Sequence, residues 1–151
     1  MIPPYADEAI EMRLGFQAGV IDSAEIIAWA DSRILEYDYD DDLASVSLAS
    51  KVPASEMVSL LSRVSHAGDE WPAMRRVLAR MYDAIVEDRS LAHGLTTFLE
   101  RFWVRHNYEV PEDMSFIIAV EDEFLLAMDG VYGDVESSTD SLIDELAKYK
   151  K

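Results

Sequence analysis

Helical periodicity governs this chain and confines it to one fold class. Met74, Val77, Leu78, Met81 and Ile85 recur at i, i+3, i+4, i+7 and i+11, while Arg76, Arg80, Asp83 and Glu87 take the other side. That spacing lays one apolar stripe along a helix of about 70–88. The same pattern repeats along the sequence. Pro3 and Pro4 open a first helix carrying Ile10, Leu14 and Val20, ending near Gly19. Asp22-Ser23-Ala24-Glu25 has the spacing of a capping box and starts a second helix running to about Tyr37, with Ile27, Ala30, Ile34 and Tyr37 on its inner face. A short helix through Leu43 and Val46 follows, and Pro53 begins another with Met57, Leu60, Leu61 and Val64 inward. Ser90 is a candidate cap for a helix bearing Leu91, Leu95, Phe98, Leu99 and Phe102; Pro111 restarts the chain into a helix of about 112–128. Gly130 and Gly133 mark a loop, and Ser138 or Thr139 opens a last helix to about Lys148. No segment alternates cleanly over six residues, so strands are not expected. The expected fold is all-α: a bundle of about seven or eight helices.

A length of 151 suits one domain, 1–151. A chain of this size buries roughly 68–70% of the surface it exposes when unfolded, enough to fold without a metal or disulfide staple. Cysteine is absent, which removes disulfides, thiolate zinc sites and cysteine nucleophiles together and fits a reducing compartment. The start, MIPPYADEAIEM, has neither a basic nor an apolar leader region, and no apolar run approaches about 18 residues. A cytoplasmic protein is expected.

Charge narrows the function. Thirty acidic residues face thirteen basic ones, a formal net charge of −17. Residues 1–62 hold 12 acids and 3 bases, and residues 107–151 hold the same numbers. Between them, residues 63–106 hold 6 acids and 7 bases, every base an arginine. Such a molecule repels nucleic acid and anionic membrane and attracts basic surfaces. High negative charge is also a solubility device.

The densest acidic cluster is Glu36-Tyr37-Asp38-Tyr39-Asp40-Asp41-Asp42. Asp38, Asp40 and Asp42 match positions 1, 3 and 5 of a calcium loop, but Leu43 stands where the loop needs glycine and Ala49 where it needs a bidentate carboxylate, so a calcium site is not expected. The cluster can serve as a solvated loop that caps the next helix. It can equally recognise a basic partner, since interleaved carboxylates and tyrosines supply steering and anchors. Trp29 falls off the centre of the second helix's inner face, near Glu25, Arg33 and Glu36, where it either packs on a neighbouring helix or adds an aromatic anchor to the cluster. Glu121 falls among Ile117, Leu125 and Met128, so its carboxylate needs a partner, with Arg101 and Arg105 the first candidates.

No catalytic motif is present. His66, His93 and His106 fit no metal or triad spacing, and there is no Gly-rich phosphate loop, no Gly-x-Ser-x-Gly and no Glu-x-x-His pair of the di-iron bundles. No enzyme, cofactor or metal is expected.

The stretch Gly19-Val20-Ile21-Asp22-Ser23-Ala24-Glu25-Ile26-Ile27-Ala28-Trp29-Ala30-Asp31, the acidic loop after it and Val58-Ser59-Leu60-Leu61 resemble the small, acidic, cysteine-free helical immunity proteins of bacterial polymorphic-toxin and contact-dependent-inhibition systems. The likeness lies mainly in residues 1–65. It implies a cognate toxin, often a basic nuclease, occluded by acidic side chains, and no direct binding of nucleic acid or membrane. The expected contact residues are Trp29, Glu36, Tyr37, Asp38, Tyr39, Asp40, Asp41 and Asp42. Two other readings stay open: a DNA mimic of anti-restriction type, with carboxylates in two phosphate-spaced rows, and a helical enzyme using Glu121 in an open cavity.

Overall fold

The structure, a computed structural model, describes residues 3–65, 68–131 and 133–150. Among these residues lie eight α-helices and no strand. They are α1 (Ala6–Ala18), α2 (Ser23–Glu36), α3 (Asp41–Ser47), α4 (Ala54–Ser65), α5 (Trp71–Glu87), α6 (Ala92–Arg105), α7 (Ile117–Met128) and α8 (Val135–Ala147). Short 3-10 turns at Arg89–Leu91 and Glu112–Met114 precede α6 and α7. No helix among the described residues is long and apolar enough to cross a membrane.

Aspartates start most of the clearly capped elements. Asp22 accepts from the Glu25 amide at 2.8 Å, as the capping spacing predicts. Asp40 caps α3. Asp88, not Ser90, caps the turn before α6, and Asp134, not Ser138 or Thr139, caps α8. Ser and Asp both cap well, but the aspartates lie earlier, two residues before Ser90 and four before Ser138, where their oxygens reach free amides. The Asp134 carboxyl is held below its usual range by the backbone and side-chain hydrogen bonds of Ser137.

Three helices close with paired 6→1 and 5→2 bonds around a left-handed residue. Gly19 (φ 81) closes α1, with Val20 N–H donating to Gly15 and Gly19 N–H to Phe16. Gly130 (φ 72) closes α7 in the same way, through Val131 to Leu126 and Gly130 to Ala127. Asn107 (φ 58) does so for α6, followed by Tyr108 at φ 64. Tyr108 N–H donates to Trp103 and its ring lies edge-on to the Trp103 indole at 5.0 Å, the apolar contact that accompanies this cap.

The chain divides into two compact units, Met1–Val77 and Leu78–Lys151. In the first, α1 packs on α4, and α3 on both α2 and α4. Ala9, Ile26, Ala30, Leu43, Val46 and Leu61 are sealed in its core. Close packing there demands Gly15: a Cβ at this position would overlap the buried Ile21 side chain. Ion pairs Arg13–Glu70 (2.5 Å) and Arg76–Glu11 fix α1 against the residues leading into and along α5.

The buried face of α2 differs from the expected one. Ile26, Trp29 and Ala30 are buried, Ile27 and Ile34 are half-buried, and Tyr37 is exposed. The helix is rotated towards Trp29 because α1 offers that indole an acceptor, as described below. In the second unit, α7 packs on α6 and α8. The face of α5 read from sequence is confirmed: Met74, Val77, Leu78, Met81 and Ile85 are all buried. Lys150 pairs with Asp83 (2.9 Å), Arg89 with Glu136 and Asp140, and the Tyr149 hydroxyl donates to Asp113, tying α8 and the C-terminal residues down.

Candidate partner-binding surface

The acidic segment 36–42 joins α2 to α3. Tyr37 ends α2 in an extended conformation, and its amide still donates to Arg33 at 2.9 Å. Asp40 then does two jobs. Its Oδ1 accepts from the Asp42 and Leu43 amides at 2.9 and 3.4 Å, starting α3. Its Oδ2 accepts from the Tyr5 hydroxyl at 2.7 Å, which fastens the segment to the beginning of the chain.

Tyr5 is the hub beneath. It is buried, with its ring 5.4 Å from Tyr37 and 6.4 Å from Trp29. Burial, the hydrogen bond to Asp40 and the charges of Asp40 and Asp42 push its phenol well above the ordinary tyrosine range. Beside it lies an ion cluster. Glu8 accepts from the Trp29 indole at 2.9 Å and from Arg33 at 2.6 and 3.0 Å, and Arg33 also donates to Glu36 at 2.6 Å. Burial alone raises the Glu8 carboxyl, but the hydrogen bonds from Arg33 and Trp29, with the charges of Arg33 and Arg76, bring it below its usual value. The Glu8 hydrogen bond foremost holds Arg33 above its usual range.

The eight residues singled out from sequence therefore divide into three groups. Asp38, Tyr39 and Asp41 are exposed, Tyr39 at 74%. Glu36 and Tyr37 are exposed but engaged, one by Arg33, the other by Tyr5. Asp40 and Asp42 are half-buried, and Asp40 is committed to structure. Trp29 is 8% exposed with its N–H taken by Glu8, so the exposed-anchor position does not occur; the indole packs inward. The exposed Tyr39 phenol is raised by its hydrogen bond to Asp41, which ties the outward tyrosine to an outward carboxylate. No three acidic or histidine side chains among the described residues are grouped as a metal site. Tyr5 and Glu8, which with Arg33 hold the surface in place, leave only an aromatic after Pro3-Pro4 and an acid one turn on as a sequence signal, while Arg33 shows there only as a neighbour of Trp29.

No protein-family model, curated protein or solved structure matches the chain. The surface must be read from its own chemistry.

Glu121 is half-buried, but its neighbour is the Glu100 carboxyl of α6, not Arg101 or Arg105. The hydrogen bond with Glu121, burial and the charges of Glu121 and Asp122 raise Glu100, and Arg101 opposes them only in part. Arg105 stands over the Phe102 ring at 5.3 Å. A cleft of about 280 Å³ lies between α7 and α8, floored by Phe116, Val120, Phe124 and Leu142 and edged by Glu123 and Glu145; Glu121 does not line it. His93 stacks on Phe124, and His106 sits 4.4 Å from Phe102 at the core edge. His66 lies outside the described residues.

Proposed function

We propose that this chain is a non-catalytic immunity-type protein of the bacterial cytoplasm that binds and neutralises a basic cognate toxin, a nuclease, through the surface around residues 36–42. The observation that carries the reading is the Tyr5–Asp40 clasp. It fixes one carboxylate of the cluster internally and thereby presents Asp38, Tyr39 and Asp41 outward on a preformed loop. A preformed loop loses little entropy on binding, which is the condition for tight association through a small acidic patch. Glu36, Tyr37 and Asp42 flank the patch, and Trp29 acts from beneath it by holding Glu8 and Tyr5.

A nuclease cleft is positive because it binds phosphate, so it is matched by this patch in charge. The net charge of −17 draws the two together from a distance. The test is capture of the toxin followed by titration at rising salt, with wild type and Asp38→Asn/Asp41→Asn. Affinity should fall with salt and drop about tenfold or more in the variant. An affinity indifferent to both refutes the site. Equal capture of several unrelated DNA-binding proteins supports the DNA-mimic alternative instead.

A further inference from the structure

Helix α7 is rich in apolar residues but buries few of them. Nine of the twelve residues in IIAVEDEFLLAM are apolar, and a helix so rich in apolar residues is ordinarily buried over most of its surface. Here only Ile117, Phe124 and Ala127 are buried. Ile118 is 48% exposed and Leu126 41%, with Leu125 and Met128 also open. At 100° per residue, Ile118, Asp122, Leu125, Leu126 and Asp129 fall on one outward stripe. Exposed apolar side chains clustered with charges on one face mark an interaction site.

The charge on that stripe specifies the partner. Asp122 and Asp129 lie two turns apart at its centre, exposed and without an ion-pair partner among the described residues. Asp129 also caps the C-terminal end of α7, where the helix dipole disfavours an anion. The first turn of α7, where acids are favoured, has none. Nearby, Glu100 and Glu121 share a hydrogen bond between carboxyls. On the stripe itself, Asp122 and Asp129 are each relieved by a cation supplied from outside. A second copy of the chain would bring the same acids against one another.

We propose that the outward stripe of α7 docks a basic amphipathic helix of another protein. Its apolar residues cover Ile118, Leu125 and Leu126, and a lysine or arginine meets each of Asp122 and Asp129, seven residues apart. Helix-in-groove recognition of this kind is read through anchors at i, i+3, i+4 and i+7. The inference uses no residue of the 36–42 segment and stands whether or not that segment binds a toxin.

The probe is a synthetic amphipathic helix of leucine and lysine, with lysines seven apart, titrated calorimetrically into the full chain at physiological ionic strength. Leu125→Ser should weaken binding about tenfold, as should Asp122→Asn/Asp129→Asn, while Asp38→Asn/Asp41→Asn changes it less than about twofold. Circular dichroism confirms that each variant keeps its helices, which these exposed positions permit. Absence of binding overturns the proposal, as does binding that ignores Leu125→Ser but falls with Asp38→Asn/Asp41→Asn. Sedimentation showing a dimer that Leu125→Ser dissolves also overturns it, in favour of a second copy.

Discussion

Gly15 and Asn107 each carry a conformational demand that a single substitution can probe. Gly15 sits inside α1, where alanine would normally gain about 1 kcal/mol of helix propensity. The space its Cβ would need is filled by Ile21, which is buried and cannot swing clear. Overpacking costs about 1–3 kcal/mol, so Gly15→Ala should lower stability in urea by roughly 1 kcal/mol net. The loss should shrink in part in an Ile21→Val background, which removes the overlapping Cδ1 but keeps the Cγ1 at 2.6 Å. Asn107 presents the reverse case. It occupies the left-handed cap of α6, which asparagine tolerates and glycine adopts freely. Asn107→Gly should raise stability by up to about 1 kcal/mol, measured in the same unfolding experiment.

Elements are joined here by carboxylates, and their titration should be visible. The Tyr5 phenol is raised, so the folded state holds that proton more tightly than the unfolded chain. Its contribution is complete below the unfolded tyrosine value of about 10 and is lost as pH rises beyond it. Tyr5→Phe should cost about 1 kcal/mol at neutral pH, through the lost hydrogen bond, and should flatten the fall in stability above about pH 10. Glu8 has the opposite sign. Its folded value is depressed, so the stability it contributes is present above the unfolded glutamate value of about 4.3 and disappears as pH falls through the lower folded value. The carboxyl contact between α6 and α7 gives a third case. Glu100 is raised, so its ionised form opposes folding at neutral pH. Glu100→Gln should therefore stabilise the protein at pH 7, with the advantage vanishing below about pH 4, where the wild-type carboxyl is itself neutral. Thermal melts across pH read both signs.

For the molecule as a whole, the excess of acids is the main global term. A net charge of −17 on 151 residues sets like charges against one another in the folded state. The exposed ion pairs, such as Arg89 with Glu136 and Asp140, offset little of it, because surface pairs contribute about 0–1 kcal/mol each. Sodium chloride screens repulsion over about 10 Å at 0.1 M. The melting temperature should therefore rise from low salt to a few tenths molar, while affinity for any basic partner falls over the same range. A protein stabilised mainly by its ion pairs would show a falling melting temperature instead.

The helices and their order were legible because helical periodicity is local: the buried stripe of α5 and the end of α1 at Gly19 follow from residues within a few turns of one another. The acidic flanks were likewise plain, since charge is a property of composition. Tertiary structure alone decided which face of α2 is buried, that Trp29 points inward, that Asp40 serves Tyr5 and that Glu121 meets Glu100. Those outcomes depend on partners far along the chain: Tyr5 and Asp40 are 35 residues apart, Trp29 and Glu8 are 21, and Arg33 and Glu8 are 25. A half-apolar helix can satisfy its own hydrogen bonds in any rotation about its axis. The rotation is fixed only when a neighbouring helix supplies an acceptor for a buried N–H or a cation for a carboxylate, and no spacing within one segment records where that neighbour will stand.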